Sequence, residues 1–228
     1  DEVRDGVEDY ATSEYMVLKD GPIQKIEDVK GLVAAINALG GGQDMFMRVM
    51  LRKHGLEHPR DYKIVEASFP NMKALLAEKK ADLVVGVIPF LADPSFRAMS
   101  RTLFTQKEAV GPSDALFLTA RAGFIAKNRA AVVDFLEDLL RSRRWYADPA
   151  NRPQATAIVA NFLKIPPERL GWLFTKADYY REPNGLPDLD SIQKSLGIMK
   201  EFGFLKEDLD VKQHADLSLI QEAAKRLQ

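Results

Sequence analysis

Short apolar runs alternate with amphipathic stretches in the first part of the chain, and this alternation predicts its architecture. Tyr15, Met16, Val17 and Leu18 form a strand candidate, ended by Lys19, Asp20, Gly21 and Pro22, which favour a turn. Ile26, Glu27, Asp28 and Val29 make one helical turn closed by Gly31, and Leu32, Val33, Ala34, Ala35 and Ile36 then read as a buried strand. After Gly40, Gly41 and Gly42, the apolar Phe46, Val49 and Met50 recur at helical spacing until Gly55. The pattern repeats with Ile64 and Val65 as a strand, Asn71 as an N-cap, and a helix burying Met72, Leu75 and Leu76. Leu83, Val84 and Val85 supply a third strand. Such alternation predicts a parallel α/β sheet, because a crossover helix must bring the chain back in the same direction.

Residues 29–90 thus read as one compact lobe, interrupted by Pro89 and by the loop at Pro94 and Ser95. Ala115, Leu116, Phe117 and Leu118 begin a strand that need not join the same sheet, and mark a crossing between lobes. Beyond it the pattern is helical. One face carries Val132, Phe135, Leu136, Leu139 and Leu140, and a second carries Ala155, Ile158, Val159, Phe162 and Leu163. Pro166, Pro167 and the turn residues 183–187 separate further helices bearing Ile192, Leu196 and Met199, then Leu217, Ile220, Ala223 and Ala224.

Composition narrows the function. The 228 residues carry 32 Lys and Arg against 33 Asp and Glu, a net charge of -1, so no long-range field favours nucleic acid or an anionic membrane. The absence of cysteine excludes disulfides, thiolate metal sites and cysteine nucleophiles together. No apolar run approaches the roughly 18 residues of a membrane span, and Asp1, Glu2, Val3, Arg4 and Asp5 are the opposite of a signal-peptide start. The expectation is a soluble chain that is mature, processed or truncated.

Three ordered stretches carry a family resemblance: Val17 to Ile23 continuing through Ile26 to Gly31; Gly40, Gly41, Gly42 and Gln43 before a long helix; and the run from Ala81 to Phe90. They resemble the NMT1/THI5-like branch of periplasmic binding proteins, which includes sulfonate, taurine, nitrate and pyrimidine-precursor binders of ABC importers. The resemblance implies an α/β fold of the type II periplasmic-binding kind, with two lobes and a hinge. The first lobe is expected to be incomplete, since relatives usually begin with one more βαβ stretch. Residues 1–28 would then be a remnant of lobe I and the first crossing, 29–90 the core of lobe II, 91–113 its end and the return crossing, and 114–228 the mainly helical part of lobe I. By the same resemblance the chain captures a small organic or anionic solute between its lobes and presents it to an ABC permease in the membrane. No cofactor and no nucleic acid are expected. The location implied is periplasmic, or extracytoplasmic and lipid-anchored in a Gram-positive source. Two rivals stand beside this reading: the effector-binding domain of a transcription regulator, which would follow a helix-turn-helix segment, and a thiamin-pyrimidine synthesis-like protein, whose group has a cysteine-rich motif.

The candidate ligand contacts follow from local chemistry. Gly41, Gly42 and Gln43 open a helix, so their backbone N–H groups suit an anion, or else the glycines merely make a tight turn. No serine or threonine follows the glycines where relatives commonly carry one, and Asp44 places in the first turn a negative charge that would repel an anion. Asp44 either faces solvent as a favourable helix-start charge or meets a donor on a neutral or cationic ligand. Phe69 and Asn71 follow a strand at its C-terminal end, where open α/β sheets place ligands; alternatively they are core and N-cap. Pro89 fixes the backbone where the chain leaves the lobe, and Phe90 lines the cleft or packs in the core. Val87 and Ile88 stand where amine-binding relatives offer an aromatic residue and a carboxylate, which disfavours a zwitterion. His54, His58 and His214 are too scattered for a metal site, and Arg141, Arg143 and Arg144 read as a solvated helix end. Tyr179, Tyr180 and Arg181 either reach the cleft or cap a helix. No nucleophile elbow, phosphate loop or paired metal-ligand motif offers a catalytic residue.

Overall fold

The computed structural model describes residues 3–228. In chain order, β1 (Val3–Asp5), β2 (Glu14–Leu18) and β3 (Val33–Ile36) lead into α1 (Gly42–Lys53). Then come β4 (Lys63–Glu66), α2 (Met72–Ala77), β5 (Leu83–Gly86), α3 (Pro94–Met99), β6 (Ser100–Thr105), α4 (Gln106–Val110) and β7 (Ser113–Leu116). The remainder is helical: α5 (Ala122–Ala147), α6 (Arg152–Leu163), α7 (Leu189–Glu201) and α8 (Ser218–Arg226).

The main sheet has the order β4-β3-β5-β2-β6. Its β4, β3 and β5 run parallel, as the strand-helix alternation predicts, while β2 runs antiparallel to both β5 and β6. The 15–18 strand is thus part of this sheet, between β5 and β6. Tyr15, Met16 and Val17 are all buried to within 1%. β5 and β6 satisfy the two hydrogen-bonding edges of β2, and burial of its successive residues means that both of its faces are covered. At the opposite edge β4 is less buried than expected, with Val65 39% exposed.

β1 and β7 form a separate antiparallel ribbon, pairing Val3 with Leu116 and Asp5 with Ser113. On the helices beyond, the predicted stripes hold in part. On α5, Val133 and Leu140 are buried and face Leu219, Ile220 and Ala223 of α8, whereas Phe135 is exposed. On α6, Ala155 and Ala160 are buried, while Ile158 and Phe162, one turn apart, face solvent. No residue of α7 is fully buried. Val132 and Leu136 pack against the α5–α8 cluster and Val159 and Leu163 around Ala160, so much of each predicted stripe packs while Phe135, Ile158 and Phe162 do not.

Candidate functional site

The C-terminal ends of β3, β4 and β5 share one edge of the sheet, and the segments leaving them, the first turn of α1 included, carry every predicted ligand residue. After β3 the chain turns with Gly40 at a φ of +75°, a conformation that side-chain-bearing residues rarely adopt. Gly41 is the N-cap of α1 and no side chain caps the helix, so the first-turn N–H groups of this 12-residue helix end at the sheet edge. Gly42 is exposed.

Asp44 takes neither of the roles left open for it. It is 2% exposed, and its carboxylate accepts from the Gly40 N–H at 2.8 Å and from Arg48 Nε at 2.8 Å. The carboxylate closes the glycine loop from inside, and Arg48 offsets its charge, which removes the expected repulsion of an anion. Gln43 is equally occupied. Its Nε2 donates to Ser13 Oγ at 3.0 Å, and the Tyr15 hydroxyl donates to its backbone oxygen at 2.7 Å. Gly41 is occupied too, its N–H donating to the Ala38 oxygen at 3.2 Å and its own oxygen accepting from the Met45 N–H at 3.0 Å.

Ser13, missed in the sequence, is the centre of the buried polar network behind that loop. Its hydroxyl donates to Asp5 Oδ2 at 2.5 Å, and it lies 3.2 Å from the Tyr179 hydroxyl. Its N–H also meets the Asp5 carboxylate, at 2.9 Å. Burial pushes the Asp5 carboxyl above the usual range even though the Ser13 hydrogen bonds pull it down. Burial likewise raises the Tyr179 hydroxyl, which bonds near the Ile88 backbone. A residue from before β2, the start of α1 and a C-terminal coil thus meet at the sheet edge. Tyr179 and Tyr180 cap no helix: Tyr180 pairs its backbone with Arg4 and packs edge-on against Tyr10.

Beside this network is a cavity of about 210 Å³. Phe69, Pro89 and Phe90 line it on the sheet side, with Lys73 and Asp93, and Arg169 and Trp172 close it from beyond α6. The Phe69 and Phe90 rings lie 6.4 Å apart and nearly parallel. The Ile88-Pro89 peptide is cis. Asp93 binds Lys73 at 3.0 Å and Arg169 at 3.1 Å, so an ion pair joins the two walls. It also caps α3 through the Ser95 N–H. Burial raises the Asp93 carboxyl, but hydrogen bonds from Ser95 and Lys73 outweigh it and hold the group at about 2. Asp93, Pro94 and Ser95 are a legible helix start, and Lys73 lies one turn beyond Phe69 and Pro70; Arg169 and Trp172 had no local signal.

Asn71 does not join the cavity. It sits in a single 3-10 turn, exposed, and its side chain makes no cap hydrogen bond. Among the described residues no group of three or more His, Asp and Glu is placed to hold a metal ion. Arg141 pairs on the surface with Glu137 and Asp138, but Arg143 and Arg144 turn inward, donating to the Glu182 and Leu227 carbonyls.

With this geometry in hand, the sequence profile of the NMT1-like family matches residues 5–160. The chain belongs to the NMT1-like family. A nitrate/nitrite binding protein from Synechococcus elongatus is 27% identical over 153 residues, 65% of this chain and 34% of that protein. The match thus spans about a third of the relative's length. Among solved structures, the periplasmic nitrate-binding protein NrtA from Synechocystis PCC 6803 is similar with a TM-score of 0.74 at 16% identity, covering 100% of this chain and 66% of that one. The periplasmic aliphatic sulphonate binding protein SsuA from Escherichia coli follows with a TM-score of 0.66 at 16% identity, covering 94% and 68%. A desulfurization enzyme, DSZB, takes the same fold, with a TM-score of 0.64 at 13% identity, covering 99% and 78%. These likenesses show the α/β fold of type II periplasmic binding proteins. No helix among the described residues is long and apolar enough to cross a membrane.

Proposed function

We propose that this chain is the solute-capturing part of an ABC-type importer. It binds a small anion or anionic organic solute in the cavity between the sheet-edge loops and the segment 165–172, outside the cytoplasm, and offers the closed form to a permease. The observation that carries the reading is the two-walled cavity itself. One wall comes from the loops after β4 and β5, the other from the chain beyond α6, and the Asp93–Arg169 pair bridges them. A ligand bound to both walls favours the state in which they are together, by its differential affinity for that state.

Lys73 and Arg169 face the cavity against the single carboxylate of Asp93, so its balance is cationic, and Phe69, Phe90 and Trp172 give it flat apolar faces. The uncapped start of α1 adds a second electropositive element at the same sheet edge. The names of the relatives, nitrate, nitrite and sulphonate binders, agree with that charge. The enzyme sharing the fold argues for keeping catalysis as a rival, but the cavity offers no paired nucleophile and base. Lobe I would comprise the β1–β7 ribbon and the helices from α5 onward, and lobe II the five-stranded sheet.

The test is a thermal-shift series with nitrate, ethanesulfonate and a pyrimidine. One of the two anions is expected to raise the melting temperature saturably, and K73M and R169M to reduce that ligand-induced rise at least fivefold in affinity. Uniform absence of stabilisation, or a rise that survives both substitutions, overturns the reading.

A further inference from the structure

A second cavity, of about 380 Å³, lies in the C-terminal part of the chain and shares no lining residue with the first. The end of α5, the start of α6 and the segment 174–183 wall it, with Tyr10 on one side. Its size falls in the range of roughly 300–1,000 Å³ usual for small-molecule sites.

The lining charge is one-sided. Arg143, Arg144, Arg152, Lys176 and Arg181 face the single carboxylate of Asp178. Asp178 is taken by Arg181 at 2.6 Å, and Lys176 pairs with Asp9 outside the lining. Among the described residues Arg144 donates to neutral oxygens, Leu227 O at 3.0 Å and Asn184 Oδ1 at 3.3 Å. Arg152 is exposed and lies over the Phe174 ring at 5.4 Å, with no carboxylate partner among the described residues. Arg144 and Arg152 thus bring guanidinium charge to the cavity with no carboxylate partner among the described residues.

Aromatic rings supply the rest of the wall. Tyr146 and Phe174 pack at 4.7 Å, with Arg181 over Tyr146 at 5.9 Å. Phe174 presents its ring from a φ of +63°, in the left-handed region that bulky residues rarely enter. Strain of this kind gathers at ligand sites, where the surroundings hold a side chain in one place.

We propose that this cavity is a second ligand site, which takes a small aromatic carboxylate with its ring against Tyr146 and Phe174 and its carboxylate against Arg152 and Arg144. Guanidinium groups match a carboxylate in two-point geometry, and Arg152 is held only by a ring face, so it can turn to the ligand without breaking an ion pair. An inorganic anion would leave the rings unused, and a cation would be repelled.

The experiment is an NMR and calorimetric titration of the protein with benzoate, with benzamide as the uncharged analogue and sulfate as the anion without a ring. Benzoate is expected to bind saturably and to shift the Tyr146 and Phe174 ring resonances, with benzamide and sulfate each at least tenfold weaker. R152M should weaken benzoate at least fivefold and leave the anion response of the first cavity unchanged, since Arg152 lies outside it. Equal binding of benzamide or of sulfate, or benzoate affinity untouched by R152M, overturns the proposal. Benzoate binding lost in K73M instead would put the ligand in the first cavity and overturn the second site alone.

Discussion

At the scale of single residues, the sheet edge depends on atoms that must be absent as much as on those present. Gly86 ends β5 where the chain turns toward Pro89, and a Cβ built there would lie 2.4 Å from Leu91 Cδ2 and 2.9 Å from its Cγ. Leu91 is itself buried at 1% exposure, so it has nowhere to move. Gly86→Ala is therefore expected to destabilise the fold by about 1–3 kcal/mol, the usual penalty for overpacking a filled core. Urea unfolding reads this as a lower midpoint at unchanged slope, and an unchanged midpoint would mean that Leu91 repacks freely. Asp44 makes the complementary point. Sequence alone sees a carboxylate in a first turn and assigns it to solvent or ligand, because the sequence does not show that the loop folds back far enough for the Gly40 N–H to reach it.

At the scale of elements, α1 is held at its start by two inward-facing side chains, Gln43 and Asp44, and each has a partner in another part of the chain or one turn on. Removing Arg48 leaves the Asp44 charge buried with only the Gly40 N–H to stabilise it. R48M is expected to cost about 2 kcal/mol or more, and the double variant D44N/R48M to recover part of that loss, a coupling that chemical denaturation of the four proteins measures directly. Strict additivity would sink the pairing as an energetic unit. The elements themselves were largely legible: β3, α1, β4 and β5 fall where strand and helix periods alternate, since each is built from local pattern. What was not legible is where strands pair. The run at Tyr15, Met16 and Val17 announces a strand but says nothing of β6, which comes from some eighty residues later in the chain. Likewise Phe69, Pro89 and Phe90, named as candidates where the chain leaves β4 and β5, line the first cavity, whereas Ser13, Arg169 and Trp172 are brought to the edge by tertiary packing. Phe135, Ile158 and Phe162 were misplaced on α5 and α6 for a related reason, because a helix with apolar residues on several faces is oriented by its partner, as α8 orients α5.

At the scale of the whole molecule, an ion pair from Asp93 to Arg169 joins the two walls of the first cavity, and pH controls its carboxylate. Its carboxyl is held at about 2, below the ordinary value of 3.8, by Ser95 and Lys73 against the opposing effect of burial. A depressed folded-state value means that the unfolded chain takes up the proton first as pH falls. The contribution of the group is thus fully present above the ordinary carboxylate range and is lost as pH drops from about 4 toward about 2. D93N keeps a side chain able to cap α3 but removes the charge that meets Lys73 and Arg169. The difference in urea midpoint between the native chain and D93N should accordingly be constant from about pH 7 to about pH 5 and shrink below about pH 4. Hydrogen exchange in the segment 165–172 should be faster in D93N at neutral pH, because that segment loses its ion pair across the cavity. A midpoint difference that does not vary with pH, together with unchanged exchange in 165–172, would show that the Asp93–Arg169 pair does not hold the walls together and that other contacts must carry the closure.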